Sequence, residues 1–189
     1  GANDGPVHLT LNGGKNWIDV TPNKNIKGGR VDSIEPSSHN STKAFVTILR
    51  YQLGDWKPYI YRTYDNGDTW DLITEGIPDN FPVRVLREDP VREGLLFAGT
   101  EFGMFISFDD GDNWKPFQQN LPVTPITDMK IHRDDIVLST MGRSFWIMDN
   151  IHYLRNFEFS ADEVLYPVAN TIRYRNCLLY TSDAADESR

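Results

Sequence analysis

The sequence is short of basic residues, long apolar runs and helical periodicity, and each shortage excludes a class of protein. A net charge of −8 argues against nucleic acid as a main partner, because phosphate binding requires a basic surface. No apolar run approaches the ~20 residues that a membrane-spanning helix needs. The first residues lack a charged-then-apolar leader, so no targeting signal is visible, and the location stays open. With 39% hydrophobic and 12% aromatic residues, most of the chain is expected to fold.

Motifs that hold cofactors or metals are also missing from the sequence. It contains no glycine-rich nucleotide loop and no Cys-x-x-Cys, His-Glu-x-x-His or Gly-x-Ser-x-Gly pattern. The four histidines are scattered without the spacing of metal ligands, at positions 8, 39, 132 and 152. We therefore predict no cofactor and no metal, and interpret the histidines as surface or strand-edge residues.

What the sequence does contain is a series of short strands. Apolar or alternating runs rich in Val, Ile, Phe, Tyr and Thr are bounded by Gly, Pro, Asn and Asp, and no stretch of ten residues has a helical period. The predicted strands fall into three sets: 30–37, 43–49, 58–64 and 69–73; 82–89, 94–100, 103–108 and 113–117; and 125–132, 135–140 and 144–149.

An eight-residue motif recurs three times, before the last strand of a set. It has the form Ser/Thr-x-Asp/Asn-x-Gly-x-Asn/Thr-Trp and occupies residues 10–17, 63–70 and 107–114. Its tryptophans are 53 and 44 positions apart, and a period in the forties with four strands per unit is typical of propeller blades. We predict an all-β fold, a β-propeller fragment of about three to four four-stranded antiparallel blades of a larger ring, over residues 1–160.

The last set of strands predicts a degenerate blade at 125–150. With an offset of 40 residues, Asp149 aligns with Asp109 and Phe145 with Phe105, but Ile151 replaces the motif glycine Gly111. This blade therefore keeps the strand framework and lacks the motif.

The motif is interpreted as a hairpin turn that is held in place by its tryptophan side chain. Its glycines can take positive φ, the Asp or Asn side chain can accept backbone hydrogen bonds from two residues on, and the tryptophan is expected to insert between neighbouring blades. Burial of ~200 Å² of indole is worth roughly 5 kcal/mol as an upper bound, more than the turn bonds at about 1.5–3. The residues given this structural role are Asn12, Gly14, Trp17, Asp65, Gly67, Trp70, Asp109, Gly111 and Trp114.

A calcium-binding interpretation of the same motif is less favoured. Carboxylates that alternate with glycine resemble metal loops, but an EF-hand-like loop needs a ladder of oxygens and a distant glutamate, which no copy offers.

These motifs resemble the Asp-box, or bacterial neuraminidase repeat. The longer stretches at 94–114 and 121–155 look like the closing blades of secreted bacterial propellers related to the sortilin-type domain, which are often labelled glycosyl hydrolases. The segment 163–175 resembles the strand that leaves the ring, so 161–176 is predicted to be that strand. One departure is Met141, which stands where the family usually has His in a Thr-His-Gly-Arg run. The resemblance implies a secreted or periplasmic location.

Glycoside hydrolysis is the enzymatic function that the resemblance suggests. It would require two carboxylates in one cleft, ~5–9.5 Å apart. Glu101 and Asp149 are weak candidates at predicted strand ends, with Asp55 in a loop, and nothing in the sequence ties any two together. A sialidase would need several convergent arginines, and only Arg62 and Arg143, on separate blades, come into question.

A non-catalytic binding scaffold is therefore the leading prediction. The ligand would be a polypeptide or a glycan, held by blade-connecting loops or the central channel, and the other blades and domains of a longer chain would be partners. Trp56, Tyr59 and Tyr61 could form a platform for sugar or peptide, although Tyr59 and Tyr61 are favoured as inter-blade core. The alternative is a glycoside hydrolase whose carboxylate pair lies at least partly outside these residues.

The C-terminal tail needs a separate interpretation. Residues 177–187, which include the one cysteine at Cys177, resemble a translated transposase sequencing adapter. We expect the natural sequence to end near Asn176 and 177–189 to be a disordered artefact, excluded from fold reasoning. The alternative is an acidic, disordered natural C-terminus.

Overall fold

The computed structural model describes residues 1–22 and 28–157, in which almost all regular structure is β-strand. The strands are β1 (His8–Leu9), β2 (Ile18–Asp19), β3 (Arg30–Pro36), β4 (Ala44–Leu49), β5 (Ile60–Thr63), β6 (Asp71–Leu72), β7 (Val83–Glu88), β8 (Leu96–Thr100), β9 (Gly103–Ser107), β10 (Lys115–Pro116), β11 (Ile126–His132), β12 (Asp135–Thr140) and β13 (Phe145–Met148). The helices are a 3-10 turn, Tyr51–Leu53, and α1, His152–Arg155. None of the described helices is long and apolar enough to cross a membrane.

The strands form four antiparallel sheets in chain order. Sheet 1 contains β1 and β2, sheet 2 runs β3-β4-β5-β6, sheet 3 runs β7-β8-β9-β10, and sheet 4 contains β11, β12 and β13. Sequential pairing of this kind makes each sheet a local unit that short turns can close. The first strands of sheets 2, 3 and 4 share a further feature, a bulge near their start.

The sheets stand side by side with their first strands together. β7 contacts β3 and β4 of the preceding sheet and β11 of the following sheet. Arg87 on β7 joins these inner strands, since its guanidinium lies 2.8 Å from Ser33 Oγ and 2.7 Å from Asp128 Oδ1. This arrangement, with first strands innermost, is that of propeller blades.

Three apolar cores lie between successive sheets. The core between sheets 1 and 2 includes Val7, Val20, Tyr59 and Tyr61. Phe45, Ile60, Leu96 and Trp114 belong to the core between sheets 2 and 3. The largest core, between sheets 3 and 4, includes Phe97, Met104, Ile126 and Leu138. Both faces of a sheet are buried only where a neighbour stands on each side, so sheet 3 carries the most fully buried strands.

The all-β propeller class predicted from the strand pattern is confirmed. The fourth strands are shorter than predicted: β6 and β10 have two residues each, whereas runs of five were expected. The predicted burial of Tyr59 and Tyr61 in inter-blade core is also confirmed, at 8% and 4% exposure.

The offset predicted for the last blade is wrong by one residue. Phe105 pairs with Ala98 on the neighbouring strand, and the residue that pairs with Leu138, the equivalent of Ala98, is Trp146. Trp146, and not Phe145, therefore corresponds to Phe105. The cause is the turn between β12 and β13, which runs from 141 to 144, whereas only Glu101 and Phe102 separate β8 from β9. The predicted exit strand, 161–176, and the predicted artefact, 177–189, lie outside the described residues.

Candidate functional site

Each sheet has two ends, and candidate residues lie at both. We call the end where β3, β7 and β11 begin the rim end, and the end where β5 and β9 run into the motif the box end. The turn between β4 and β5 lies at the rim end, because Arg30, at the start of β3, pairs with Leu49 at the end of β4. A residue can therefore be assigned to one end from its place in the chain.

The motif forms a tight turn at the box end. In the second copy Asn66 and Gly67 have φ of 59° and 89°, and in the third Asp110 and Gly111 have 62° and 94°. Positive φ at both central residues is the property of type I′ hairpin turns. The motif hydroxyl accepts the glycine N–H four residues on, as Thr63 Oγ1 does from Gly67 at 2.9 Å.

The motif carboxylate bonds further along the chain than predicted. Asp109 Oδ1 accepts the N–H of Asn113, four residues on, at 2.9 Å and the hydroxyl of Ser107 at 2.7 Å. Asp65 and Asn12 accept the corresponding N–H, also at 2.9 Å. The expectation of a bond two residues on was wrong because that N–H, which belongs to the motif glycine, donates to the motif hydroxyl instead.

These hydrogen bonds hold the motif carboxyl groups ionised. Bonds from Thr69, side chain and backbone, lower the pKa of Asp65 to about 2. Burial works against ionisation of Asp109, but bonds from Asn113 and Ser107 outweigh it and lower the pKa of that carboxyl below its usual value. A carboxylate committed to its own turn is a poor proton donor, so the geometry favours a structural role for the motif.

The motif tryptophans reach back to the preceding sheet. The indole N–H of Trp114 donates to the carbonyl of Ile73 at 2.9 Å, and that of Trp70 donates to Val20 at 2.8 Å. Trp114 is 3% exposed. A Cβ added to Gly111 would lie 2.4 Å from Ile73 Cδ1, so the glycine allows the turn to approach the same residue that accepts the indole.

Trp17 does not insert between sheets, which corrects the expectation for the first copy. Its side chain is 61% exposed, and its neighbours Leu11 and Ile18 are 69% and 51% exposed. The reason is that sheet 1 is the first described sheet, so no residue of a preceding sheet stands where Val20 and Ile73 meet the other two rings. The turn of this copy nevertheless keeps the hydrogen bonds of Asn12.

A buried lysine links sheets 2 and 3 at the box end. Lys43 Nζ lies 2.9 Å from Glu88 Oε1 and 2.6 Å from Asp110 Oδ1, with 1% of its side chain exposed. Burial disfavours the ammonium, but hydrogen bonds with Asp110 and Glu88 outweigh it and raise the pKa of Lys43. Arg62 also contacts Asp110, donating to its carbonyl at 2.7 Å. These charges neutralise one another, and no group of acidic, His or Cys side chains suited to a metal occurs among the described residues.

The predicted catalytic carboxylates lie at opposite ends of the sheets. Glu101 follows β8 at the rim end, and Asp149 follows β13 at the box end. A strand of four or five residues separates these ends by roughly 15 Å, beyond the ~9.5 Å limit for a glycosidase pair. Arg62 and Arg143 do not converge either, because Arg62 contacts the box-end turn of sheet 3 and Arg143 lies in the rim-end turn of sheet 4.

Glu101 instead belongs to an ion cluster at the rim end that the sequence did not reveal. Its Oε1 lies 2.5 Å from the guanidinium of Arg84, which also lies 3.7 Å from Asp32. Asp32 contacts Arg30 as well, and hydrogen bonding to Asp32 raises the pKa of Arg30. The three elements that meet here, β3, β7 and the turn after β8, are far apart in sequence, so only the fold brings these charges together.

The loop between β4 and β5, residues 50–59, carries Trp56 and meets this cluster through Tyr51. Asp55 fixes the loop, since its Oδ2 accepts from Arg50 Nε at 2.9 Å and from the Tyr59 hydroxyl at 2.7 Å. Burial, followed by the bond to Asp55, raises the pKa of Tyr59 to about 12. Burial opposes ionisation of Asp55, but bonds from Tyr59 and Arg50 lower its pKa, so this carboxyl is a loop anchor.

An exposed aromatic ring and a half-buried one therefore lie beside a neutralised charge cluster. Trp56 is 48% exposed and lies 5.7 Å from the ring of Tyr51. Tyr51 in turn lies 5.8 Å from the guanidinium carbon of Arg84. The predicted platform of Trp56 with Tyr59 and Tyr61 is thus replaced by Trp56 with Tyr51, a residue that the sequence analysis missed. We call residues 51–57 the Trp56 loop.

Solved structures with a similar arrangement are β-propellers. YCF48 bound to a D1 peptide matches with a TM-score of 0.58 and 16% identity, over 79% of this chain and 46% of that one. YCF48 from Cyanidioschyzon merolae gives 0.55 and 16%, over 77% and 47%. The GH74 xyloglucanase from Xanthomonas campestris gives 0.55 and 14%, over 76% and 24%.

The chain thus spans less than half the length of these solved structures, and at such identities the likeness shows the fold alone. No protein-family model and no curated protein matches the sequence. The Asp-box and sortilin-type resemblance stays a prediction.

Proposed function

We propose that this chain is part of a non-catalytic binding scaffold that engages a polypeptide or a glycan through the Trp56 loop. The observation that carries the proposal is an exposed indole on a loop fixed from below by Asp55, Arg50 and Tyr59. A ring already held in place loses little conformational entropy when a ligand covers it. Flat aromatic surfaces of this kind suit both the apolar face of a sugar and the side chains of a peptide.

The charges beneath the loop support binding over catalysis. Glu101 and Asp32 contact one guanidinium, and both are largely buried, with side chains 13% and 12% exposed. A general acid for glycoside hydrolysis must deliver its proton to the substrate, whereas these two carboxylates are both engaged by the Arg84 guanidinium. The cluster is better suited to hold Tyr51 in place.

Glycoside hydrolysis is the second candidate function, and one observation favours it. Because Asp32 and Glu101 share Arg84, their carboxylates are no more than about 9 Å apart, inside the upper limit for a catalytic pair. In this alternative Asp32 and Glu101 form the catalytic pair, whereas the sequence led us to expect a pair at least partly outside these residues. We retain the secreted or periplasmic location implied by the family resemblance as part of either proposal.

The test is ligand binding by the intact chain and by two matched variants. The chain is screened on a peptide array and on soluble xyloglucan and β-glucan oligosaccharides. Trp56→Ala should weaken binding to any probe found by about tenfold or more. Trp17→Ala, which removes an even more exposed indole elsewhere, should leave binding unchanged, and both variants should keep the melting temperature.

Two results would count against the proposal. Equal losses of affinity in Trp56→Ala and Trp17→Ala would mean that the Trp56 loop is not the binding site. Release of reducing sugar from the oligosaccharides, abolished by Glu101→Gln, would replace the scaffold with the hydrolase.

A further inference from the structure

The buried lysine at the box end brings together the components of a covalent bond between sheets 2 and 3. Lys43, just before β4, has its Nζ 2.9 Å from Glu88 Oε1 and 2.6 Å from Asp110 Oδ1. Glu88 ends β7, and Asp110 lies in the motif turn after β9. The structure describes every residue of both sheets, so all of these groups are seen in their own surroundings.

The two carboxyl groups are incompletely hydrogen-bonded. Glu88 Oε2 and Asp110 Oδ1 are buried and have no hydrogen-bond partner of regular geometry among the described residues, although Lys43 Nζ lies close to Oδ1. The side chains of Lys43 and Glu88 are each 1% exposed. Buried charges with unmet hydrogen-bonding capacity are costly, and condensation of an ammonium with a carboxylate to an amide removes one charge of each sign.

The second carboxyl oxygen of Asp110 is held by hydrogen-bond donors. The Tyr64 hydroxyl donates to Asp110 Oδ2, and a guanidinium nitrogen of Arg62 lies 3.6 Å from the same atom. Donors placed in this way stabilise the negative charge that develops on an oxygen when its carbon is attacked. The rings of Phe45 and Tyr64 lie 5.2 Å and 5.7 Å from Lys43 Nζ and help to shield it from water.

We propose that Lys43 and Asp110 condense to an intramolecular isopeptide bond that joins sheets 2 and 3 covalently, with Glu88 as the catalytic base and acid. Lys43 Nζ is the nucleophile, and Asp110 Cγ is the carbon that it attacks. Groups fixed at this distance react with the advantage of an intramolecular reaction. An ammonium and a carboxylate together have the atoms of an amide and one water, so the step needs no oxidant, reductant or further reactant.

Glu88 moves the protons. The pKa of Lys43 is raised, so the resting group is an ammonium and must lose a proton before it can attack. Glu88 Oε1 lies within the range for accepting that proton. The nitrogen lone pair then forms the bond to Cγ while Tyr64 and Arg62 stabilise charge on Oδ2. Both protons lost by Nζ pass through Glu88 to Oδ1, which leaves as water with the electron pair of the Cγ–Oδ1 bond.

The experiment measures the intact mass of the whole denatured chain. We expect a mass about 18 Da below that of the sequence, which corresponds to loss of one water. A proteolytic digest should contain two peptides joined through Lys43 and Asp110. Glu88→Gln removes the proton carrier with little change of shape and should restore the full mass. Glu93→Gln is the matched control and should keep the mass loss, because Glu93 lies 3.9 Å from the same nitrogen but is 62% exposed.

Lys43→Met distinguishes the isopeptide bond from a second reaction that loses the same mass. Asp110 precedes Gly111, and cyclisation of an Asp-Gly pair to a succinimide also releases one water. A mass loss that persists in Lys43→Met would therefore belong to the turn and would overturn the proposal.

The full sequence mass in the unchanged chain would overturn the proposal without any variant, so misfolding of a variant cannot hide a failure. A mass loss kept in Glu88→Gln would contradict the role of Glu88. The reacting groups lie at the box end, whereas the Trp56 loop lies at the rim end. The mass measurement and the ligand screen are therefore independent, and the two proposals fail separately.

Discussion

The first and third copies of the motif have the same turn and opposite tryptophan environments. Asn12 and Asp109 each accept the N–H four residues on at 2.9 Å, and Gly14 and Gly111 have φ of 88° and 94°. Yet Trp17 is 61% exposed, whereas Trp114 is 3% exposed. The turn is therefore encoded locally by eight residues, while burial of the ring depends on the preceding sheet. The motif stabilises the propeller only where a neighbour receives the indole.

The largest expected effect separates the two tryptophans. Trp114→Ala should lower the free energy of unfolding by about 3–5 kcal/mol, because it leaves a cavity between sheets 2 and 3. Trp17→Ala should change it by no more than about 0.5 kcal/mol, as for an exposed residue. Chemical denaturation of both variants checks this, and similar losses would mean that the motif tryptophan acts inside its own turn.

The motif glycines should show the next largest difference. Both Gly111→Ala and Gly14→Ala put a side chain at positive φ, which strains the turn equally. Only Gly111→Ala also drives a methyl group against Ile73, at 2.4 Å, so it should cost about 1–3 kcal/mol more than Gly14→Ala. Denaturant midpoints measure the difference, and equal midpoints would argue against close packing at this junction.

Removing the motif side chains that accept hydrogen bonds should give a smaller difference in stability between the two copies. Asp109→Ala should cost about 1.5–3 kcal/mol, since it removes bonds to a charged group. Asn12→Ala, in the exposed first copy, should cost about 0.5–1.5 kcal/mol, since its bonds are between neutral groups. Melting temperatures of the two variants test the ranking, which an equal or reversed order would contradict.

The smallest expected effect is a dependence on acid pH. The pKa of Asp65 is lowered from 3.8 to about 2 in the folded chain, so the ionised form favours folding. Its contribution is complete above the ordinary pKa and is lost as the pH falls from 3.8 towards 2. The melting temperature of Asp65→Asn should therefore approach that of the unchanged chain over this interval. If the difference between the two melting temperatures stayed constant across this pH interval, the lowered pKa of Asp65 would be contradicted.

The sequence predicted the structure best where the conformation depends on residues that are close together in the chain. The eight-residue motif specified the glycines at positive φ, but not the left-handed conformation of Asp110 or the four-residue reach of the Asp109 carboxylate, which depend on how the turn closes. The register of β13 was misjudged by one residue because turn length was not visible in the strand pattern.

The candidate site was predicted less well than the fold. Trp56 was identified as an exposed ring, but its partner Tyr51 and the ion pair of Arg84 with Glu101 were not. These contacts join residues from different strands and sheets. No spacing rule in one sequence can specify them, because they arise only when β3, β7 and the Trp56 loop come together at the rim end.

The claim that the motif tryptophans are inserted between neighbouring sheets is tested most directly by hydrogen exchange at the indole N–H groups, followed by NMR. Trp114 donates to Ile73 in a buried core, and Trp70 donates to Val20 in a half-buried one. We expect strong protection for Trp114, weaker protection for Trp70 and exchange at the unprotected rate for Trp17. Rapid exchange of Trp114, at the rate of Trp17, would contradict the claim that its ring is held between two sheets.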